Sequence, residues 1–298
     1  MAGATPDTPL RLIYGCMRLV GDGSAAARER GKRAVHAAVE AGYRTFDHAD
    51  IYGAGECERL FGQVLSESPG LREELTLIGK CGIRMADASG PKRYDFSREH
   101  LLVSVDGSLE RLGVESLDAL LLHRPDYLCD PHEVAETFTT LREAGKVHRF
   151  GVSNFTPAQV DLLASALDTR LVANQIEINL RHLDALSDGT LAQCLQRGMT
   201  PQAWSPLGGV ISTDLTPKFT IEDRQRVDAE LAEQAARYDV APWQIALAFL
   251  LRHPAQIAPI VGSTTPQRIA DASATIAIPY TREDWYRLLE ARRGARVP

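Results

Sequence analysis

The sequence predicts an α/β fold, a single (β/α)8 TIM barrel over residues 1–298 with an extra helix at the C-terminus. Eight short apolar segments, each suited to a buried strand, alternate with amphipathic segments of helical periodicity along the chain. No Ser/Gly-rich linker interrupts this alternation, and the joints between helices and strands are short. Of the 298 residues 44% are hydrophobic, which is enough for one barrel-sized core. An unbroken series of eight βα units favours a closed barrel over two domains.

The candidate elements follow one another in a regular order. The eight strands are predicted at residues 11–17, 45–49, 75–80, 117–123, 149–154, 172–179, 200–205 and 257–263. The helices are predicted to begin near Ala25, Glu56, Ser97, Pro131, Thr156, Leu183, Arg226 and Pro266. In the segment 97–113, Ser97 caps the helix, Gly113 ends it, and the apolar side chains between them share one face. Residues 281–293 are amphipathic, and we expect them to pack outside the barrel as the extra helix.

Two connections are longer than a barrel requires. Residues 82–96 follow the third predicted strand, and residues 205–225 follow the seventh. Long loops at the ends of strands usually shape a binding pocket, so we expect these two to surround the site where a small molecule binds.

Composition excludes several classes of partner. The net charge is −6, and acidic and basic residues are interleaved, so no basic surface for nucleic acid is predicted. The longest apolar run, residues 243–251, is far shorter than the ~20 residues of a membrane span. Residues 1–10 lack the charged start and apolar core of a signal peptide, and the five cysteines are widely spaced without a C-x-x-C motif. We therefore expect a cytoplasmic protein with reduced cysteines and no membrane partner.

Four polar side chains stand at or just beyond the ends of predicted strands. Asp47 ends the second strand and Tyr52 lies in its loop, while Lys80 ends the third strand and His123 the fourth. Because the carboxyl ends of the strands of a barrel face one mouth, we expect these side chains to converge. A phenol with a pKa near ~10 becomes a better proton donor when an ammonium stabilises its phenolate. Lys80 would do this for Tyr52, Asp47 would keep Lys80 charged, and His123 would orient a carbonyl oxygen.

Two other readings of these segments are weaker. A metal site could be formed by residue types such as those of His48, Asp50 and His123. Their spacing, however, contains no i, i+4 pair that would support one. Gly21, Gly23 and Ala26 form a G-x-G-x-x-A pattern like a dinucleotide fingerprint. That reading leaves Lys80 and His123 without a role, so we interpret the glycines as a loop that leads into the first helix.

Seven motifs resemble those of a known family, in the same order: FDHADIYG, LIGKCG, LLLHRPD, GVSNF, NQIEIN, AWSPLGG and IVGSTTPQRI. From about Leu10 to Ala274 the chain resembles the aldo-keto reductases, (β/α)8 enzymes that use a nicotinamide cofactor. The catalytic tetrad of that family falls on Asp47, Tyr52, Lys80 and His123, with the same five-residue step from the acid to the phenol.

The resemblance also implies where a nicotinamide cofactor binds. It assigns the nicotinamide carboxamide to Ser153, Asn154 and Gln175, and stacks the ring of Trp204 on the nicotinamide face. Ser205, Leu207 and Gly208 would line the pyrophosphate, and Met17 and Arg18 would face the nicotinamide. Asp47, one of the tetrad, would also lie beside the cofactor. The remaining assignments, at the adenosine end, are Gly262, Ser263, Thr264, Arg268 and Asp271.

The residues at the adenosine end favour NADPH, with NADH as a possible second cofactor. Arg268 stands where the family has the arginine that binds the 2′-phosphate. Gly262 stands where many members have a lysine, and Ala272 where many have an asparagine. We therefore expect the 2′-phosphate to be bound less tightly here than in those members.

The function implied is the NADPH-dependent reduction of an aldehyde or ketone to an alcohol, with Tyr52 as the general acid. The substrate is a small carbonyl compound, and we expect a monomer. An alternative from another class is a nicotinamide-binding regulatory subunit that senses redox state with little turnover, because the fold alone does not exclude it.

Overall fold

Eight parallel strands close into the predicted barrel. The computed structural model describes residues 10–88, 90–211 and 214–298. The prediction that the N-terminus is not a signal peptide falls on residues 1–9, which lie outside the described residues. Three positions of the two long loops also lie outside them. The strands of the barrel are β1 (Ile13–Gly15), β2 (Thr45–Asp47), β3 (Thr76–Cys81), β4 (Ala119–Leu122), β5 (Phe150–Ser153), β6 (Leu171–Glu177), β7 (Thr200–Trp204) and β8 (Ala258–Val261), and a separate antiparallel pair, Ile83–Arg84 with Arg93–Tyr94, lies in the loop after β3. Their order around the barrel is β1-β8-β7-β6-β5-β4-β3-β2, with every neighbouring pair parallel.

Helices cover the outside of the barrel. They are α1 (Ala25–Glu40), α2 (Glu56–Glu67), α3 (Leu71–Glu74), α4 (Arg98–Leu112), α5 (Pro131–Glu143), α6 (Pro157–Ala166), α7 (Thr190–Arg197), α8 (Ile221–Tyr238), α9 (Pro242–Leu251), α10 (Pro266–Ala274) and α11 (Arg282–Arg293). The expected C-terminal helix is α11, capped by Thr281 and packed on α8. None of the helices in the described ranges combines the length and hydrophobicity that a membrane crossing requires.

Two predicted helix starts are wrong. The helix expected near Arg226 begins at Ile221, because Thr220 and Asp223 form a capping box that satisfies the free amides one turn earlier. The helix expected near Leu183 begins at Thr190, and only a short 3₁₀ turn lies at Asp184–Leu186. The capping box decides the boundary of α8, whereas α7 has no side-chain cap and follows Gly189 in the left-handed region.

The inner face of the barrel carries both apolar packing and the polar residues of the mouth. A buried cluster of small and branched side chains lies on this face: Ile13, Ile78, Ala119, Leu121, Ala173, Ala258 and Ile260. Alternate residues of a strand point the same way, so Ile78 and Lys80 share a face of β3, as do Ala173 and Gln175 of β6. The apolar layers fill the base of the barrel, and the polar residues follow one step nearer the carboxyl ends of the strands.

Candidate active site

The structure brings the four predicted catalytic side chains together at the mouth. The Lys80 Nζ lies 2.5 Å from Asp47 Oδ1 and 4.9 Å from the centroid of the Tyr52 ring. The rings of Tyr52 and His123 meet edge to face, with centroids 6.0 Å apart. Tyr52 is the first residue of a short 3₁₀ turn, Tyr52–Gly55, that leads from β2 to α2. The convergence expected from the strand ends is therefore present.

Lys80 is a buried cation held by a buried carboxylate. Its residue surface is 1% exposed, and that of Asp47 is 2% exposed. Burial lowers the pKa of Lys80, but the charge of Asp47, the oxygen of Tyr52 and hydrogen bonds to both raise it, and the net direction is upward. Gln175 Nε2 donates a second hydrogen bond to Asp47 Oδ1 at 2.8 Å. The ammonium thus stays charged beside the phenol.

The phenol of Tyr52 experiences two opposing influences. Burial raises its pKa and the Asp47 charge adds to this, whereas the Lys80 ammonium lowers it by its charge and by a side-chain hydrogen bond. The net direction is upward, so the sequence argument, which weighed only the ammonium, underestimated desolvation. A raised pKa keeps the hydroxyl protonated, and a proton donor needs that form.

His123 is a neutral imidazole. Burial, together with the positive charges of Lys80, Arg124 and Lys92, lowers the pKa of His123 to about 2. Its Nδ1 is buried and has no hydrogen-bond partner among the described residues. A neutral imidazole can donate one hydrogen bond to a carbonyl oxygen without competing with Tyr52 for the transferred proton.

The turn that carries Tyr52 is left-handed over three residues. Gly53, Ala54 and Gly55 have φ values of 56°, 54° and 87°. At Gly55 a Cβ atom would lie 2.7 Å from the Cδ of Arg111. Glycine is therefore required there for two reasons: the positive φ and the lack of room for a side chain. The side chain of Arg111 therefore packs directly against the turn that holds the phenol.

Asp50 lies two residues before Tyr52, and the sequence predicts that it contacts solvent, a loop amide or the rim of the substrate site. Its Oδ1 is buried without a partner, and the nearby carboxylate of Glu58 has a second buried oxygen in the same state. Glu58 Oε2 accepts a hydrogen bond of 2.7 Å from Arg111 Nε. Burial and the charge of Glu58 raise the pKa of Asp50 to about 7, although Arg111 and hydrogen bonds from Ile51 and Ser104 lower it.

We expect Asp50→Asn to stabilise the protein above neutral pH. Because the folded pKa of about 7 lies above the usual value, ionisation of Asp50 destabilises the folded state as pH rises from about 4 to 7. Asparagine mimics the protonated form, so the gain in unfolding free energy should be about 2–4 kcal/mol at pH 8 and near zero at pH 4. Urea denaturation at the two pH values measures the difference. A gain that is equal at both would show that Asp50 does not titrate in the folded protein.

The residues assigned to the nicotinamide form one hydrogen-bonded group at the ends of β5, β6 and β7. Asn154 Nδ2 donates to Ser153 Oγ at 2.8 Å, and Trp204 Nε1 donates to Asn154 Oδ1 at 2.9 Å. Gln175 Nε2 bonds Gln202 Oε1 at 3.0 Å as well as Asp47. Hydroxyl and amide groups beside a half-buried indole ring suit an aromatic carboxamide, which needs both donors and acceptors and a flat surface.

The residues assigned to the phosphates lie beside β7 and β8. Ser205 adopts a positive φ of 49°, and its carbonyl oxygen accepts hydrogen bonds from Gly208 N and Asn179 Nδ2. A Cβ at Gly208 would lie 2.5 Å from Asn179 Nδ2, so glycine is required there too. Leu207 packs into the core at the same turn.

After β8 the chain passes through Gly262, Ser263 and Thr264 into α10. Ser263 Oγ accepts a hydrogen bond of 3.2 Å from Thr265 N. Arg268 is exposed on the first turns of α10, and in the described part of the chain no carboxylate pairs with it. A free guanidinium near a helix N-terminus fits a phosphate.

Three other assigned residues lie around this edge. Arg18 Nη1 lies 3.9 Å from the position that a Cβ of Gly262 would take, and Met17 is half-exposed at the mouth. The carboxylate of Asp271 accepts a hydrogen bond of 2.7 Å from Gln267 on its own helix, so it is already engaged.

Two residues of the site were missed by the sequence analysis. Gln202 lies two residues before Trp204, so the strand period places both on the inner face of β7, and this signal was available. Arg124 places its guanidinium carbon 5.4 Å from the centroid of the Trp204 ring. No periodicity predicts that contact, because it joins the loop after β4 to the end of β7.

A metal site is not found in the described ranges. They contain no group of three or more His, Cys, Asp or Glu side chains that could hold an ion. His48, one of the ligand types considered, is fully buried against Phe61, with ring centroids 4.5 Å apart. Burial and the charge of Lys80 lower its pKa to about 3.

Comparisons with known proteins identify the family to which this chain belongs. A family model described as "Aldo/keto reductase family" matches residues 11–293. The uncharacterized oxidoreductase YcsN of Bacillus subtilis is 42% identical over 268 residues, 87% of each chain, and the 6-dehydroglucose reductase of Agrobacterium fabrum is 36% identical over 291 residues, 96% of this chain and 95% of that one. An aldo-keto reductase from Klebsiella pneumoniae in complex with NADPH, at 23% identity, superposes with a TM-score of 0.78 over 100% of this chain and 97% of that one. The chain therefore belongs to the aldo/keto reductase family, a family of nicotinamide-dependent oxidoreductases.

Proposed function

We propose that this protein reduces an aldehyde or ketone to an alcohol with NADPH, and that Tyr52 is the general acid. The observation that carries the proposal is the buried Asp47–Lys80 pair beside a protonated phenol and a neutral imidazole. A charged ammonium held in a dry site stabilises the negative charge that the phenol oxygen acquires as its proton leaves. When bound, the cofactor supplies the hydride that the carbonyl carbon accepts.

Each residue of the tetrad then has one task. Tyr52 holds the proton that the carbonyl oxygen takes, and Lys80 limits the rise in the phenol pKa that burial causes. His123 donates a hydrogen bond that orients the same oxygen, since it is neutral at physiological pH. Asp47, with Gln175, fixes the ammonium in place.

For the cofactor, we propose the assignments that the resemblance implied. Ser153, Asn154 and Gln175 would hold the carboxamide, and Trp204 would stack on the ring. Arg268 would bind the 2′-phosphate that distinguishes NADPH from NADH. The NADPH complex of the Klebsiella structure supports the choice of cofactor, and the sugar aldehyde in the name of the Agrobacterium relative supports a carbonyl substrate.

We expect Arg268→Ala to raise the KM for NADPH about 10- to 100-fold, because one charge-assisted phosphate contact is lost. The KM for NADH should change less than threefold, since NADH has no 2′-phosphate. Steady-state kinetics with both cofactors test this. Arg282→Ala, a loss of one exposed arginine at the start of α11, is the matched control. Equal weakening of both cofactors would contradict the assignment.

Measuring turnover distinguishes a reductase from the alternative, a regulatory redox sensor. A panel of sugars, steroids, aromatic aldehydes and α-dicarbonyls, followed by loss of NADPH absorbance, should reveal at least one substrate with many turnovers per protein. A regulatory redox sensor would bind NADPH, oxidise at most about one equivalent and then stop. The single domain over residues 1–298, the cytoplasmic location and the monomeric state stay predictions from the sequence.

A further inference from the structure

We propose that Arg124 binds an anionic group of the substrate, a carboxylate or a phosphate, and so selects negatively charged carbonyl compounds. The inference rests on the proposed function, because it names the substrate class of the same site. It concerns a residue outside the tetrad and outside the residues assigned to the cofactor.

Arg124 lies across the mouth of the barrel. It follows His123 after β4, whereas its guanidinium carbon lies over the ring of Trp204 at the end of β7. Strands β5 and β6 separate β4 from β7, so the side chain reaches across the ends of these strands to Trp204, whose Nε1 donates to Asn154 Oδ1. An anion held by this guanidinium would lie close to the tetrad, within the length of a small substrate.

The guanidinium of Arg124 has no carboxylate partner in the described part of the chain. The nearest acid in sequence, Asp126, uses both oxygens elsewhere, accepting hydrogen bonds of 2.9 Å from Phe96 N and Leu128 N. Asp95 in the neighbouring loop pairs with Arg84 at 3.1 Å. Arg124 therefore keeps its planar set of donors for a ligand, and carboxylates and phosphates match that set in geometry.

A second cation strengthens the positive potential at this side of the mouth. Lys92 lies in the loop after β3, is exposed, and forms no ion pair within the described residues. Its charge and that of Arg124 both reach the imidazole of His123, where they lower the pKa. Lys80 is matched by Asp47, so Arg124 and Lys92 are the cations here left without a counter-charge. In a chain of net charge −6 this local excess is not a general property of the surface.

The same two loops expose apolar side chains. Met85, in the loop after β3, is 55% exposed, and Tyr127 and Leu128, in the loop after β4, are 85% and 93% exposed. Exposed apolar side chains on the same loops as the two cations suit a substrate with an aromatic or aliphatic body as well as a negative charge. The substrate class inferred is thus a hydrophobic aldehyde or ketone that carries a carboxylate or phosphate.

The 2′-phosphate proposed at Arg268 lies away from the loop that carries Arg124. The residues proposed for the phosphates of the cofactor follow β7 and β8 and begin α10, among them Ser205, Ser263 and Arg268. In the barrel order, β4 lies opposite β8, with three strands between them on either side. The loop that carries Arg124 therefore starts on the other side of the mouth from α10 and Arg268, although the guanidinium itself reaches the end of β7.

The test compares two aldehydes that differ in charge: 4-carboxybenzaldehyde, an anion, and its neutral methyl ester. The measured quantity is the ratio of kcat/KM for the anion to kcat/KM for the ester, with NADPH. We expect Arg124→Gln to lower this ratio at least about tenfold, because a bidentate charge-assisted contact is lost. Arg124→Lys should restore part of it, and Lys92→Gln should lower it about two- to threefold, an effect that shrinks as salt is added. Differences in intrinsic reactivity cancel when each variant is compared with the parent protein.

Controls separate this inference from the proposed function. Arg33→Gln, which removes an exposed charge on the outer helix α1, should leave the ratio unchanged. Calorimetric binding of benzoate to the protein saturated with NADPH gives a readout without turnover, and Arg124→Gln should weaken it about tenfold. If no carbonyl of the full panel is reduced but benzoate binding depends on Arg124, the reductase proposal fails and the anion site stands. An unchanged ratio together with unchanged benzoate binding would overturn the anion site, whether or not the protein is a reductase.

Discussion

Replacing Tyr52 with phenylalanine is expected to lower kcat for aldehyde reduction about 10²- to 10⁴-fold, the usual contribution of a positioned general acid. Phenylalanine keeps the ring against His123 and removes only the proton donor. The left-handed turn after Tyr52 depends on Gly53 and Gly55 rather than on the hydroxyl, so the local backbone should persist. Chemistry should therefore be lost while the structure is retained.

The measurement needs turnover and binding on the same preparation. The Kd for NADPH, from fluorescence titration, should change less than threefold, since the hydroxyl is not among the groups proposed to hold the cofactor. Tyr286→Phe, on the outer helix α11, removes a phenol far from the mouth and should leave kcat unchanged. If Tyr52→Phe turned over within a few-fold of the parent, another group would have to donate the proton.

Replacing Lys80 with methionine is expected to have the largest effect on stability. Asp47 would remain buried without its counter-charge, and loss of one partner of a buried ion pair costs about 3–5 kcal/mol of unfolding free energy. Turnover should fall as well, because nothing would then oppose the rise in the phenol pKa that burial causes. Urea denaturation at pH 7 measures the first effect, and single-turnover kinetics the second.

A double variant separates the two consequences. Adding Asp47→Asn to Lys80→Met removes the orphaned charge, so most of the lost stability should return, whereas activity should not. The exposed pair Lys32–Glu67 is a matched control at nearly the same distance, 2.6 Å, and Lys32→Met should change stability by less than about 1 kcal/mol. If Asp47→Asn costs the same in the presence and absence of Lys80, the two groups are not coupled.

The positions of the catalytic residues could be predicted from the sequence, whereas the pKa of Tyr52 and the start of α8 could not. Asp47, Lys80 and His123 could be placed because each ends a strand, and the parallel strands of a barrel end at one mouth. The pKa of Tyr52 was judged from one neighbour, but its direction depends on how much water the folded chain excludes. The start of α8 was misplaced because the Thr220–Asp223 capping box acts over a few residues, whereas the apolar periodicity spans many.

By itself, the sequence determined the eight strands, their alternation with helices and the four residues that meet at the mouth. Hydrophobic periodicity and the rules of parallel sheets are local or repetitive, so they can be read along the chain. Only the tertiary structure decided that Arg124 reaches Trp204 and that Asp50 is buried with Glu58 and Arg111. Those contacts join segments that are distant in sequence. Whether they leave a charge unpaired depends on which groups are buried, and these groups become buried only when the barrel closes.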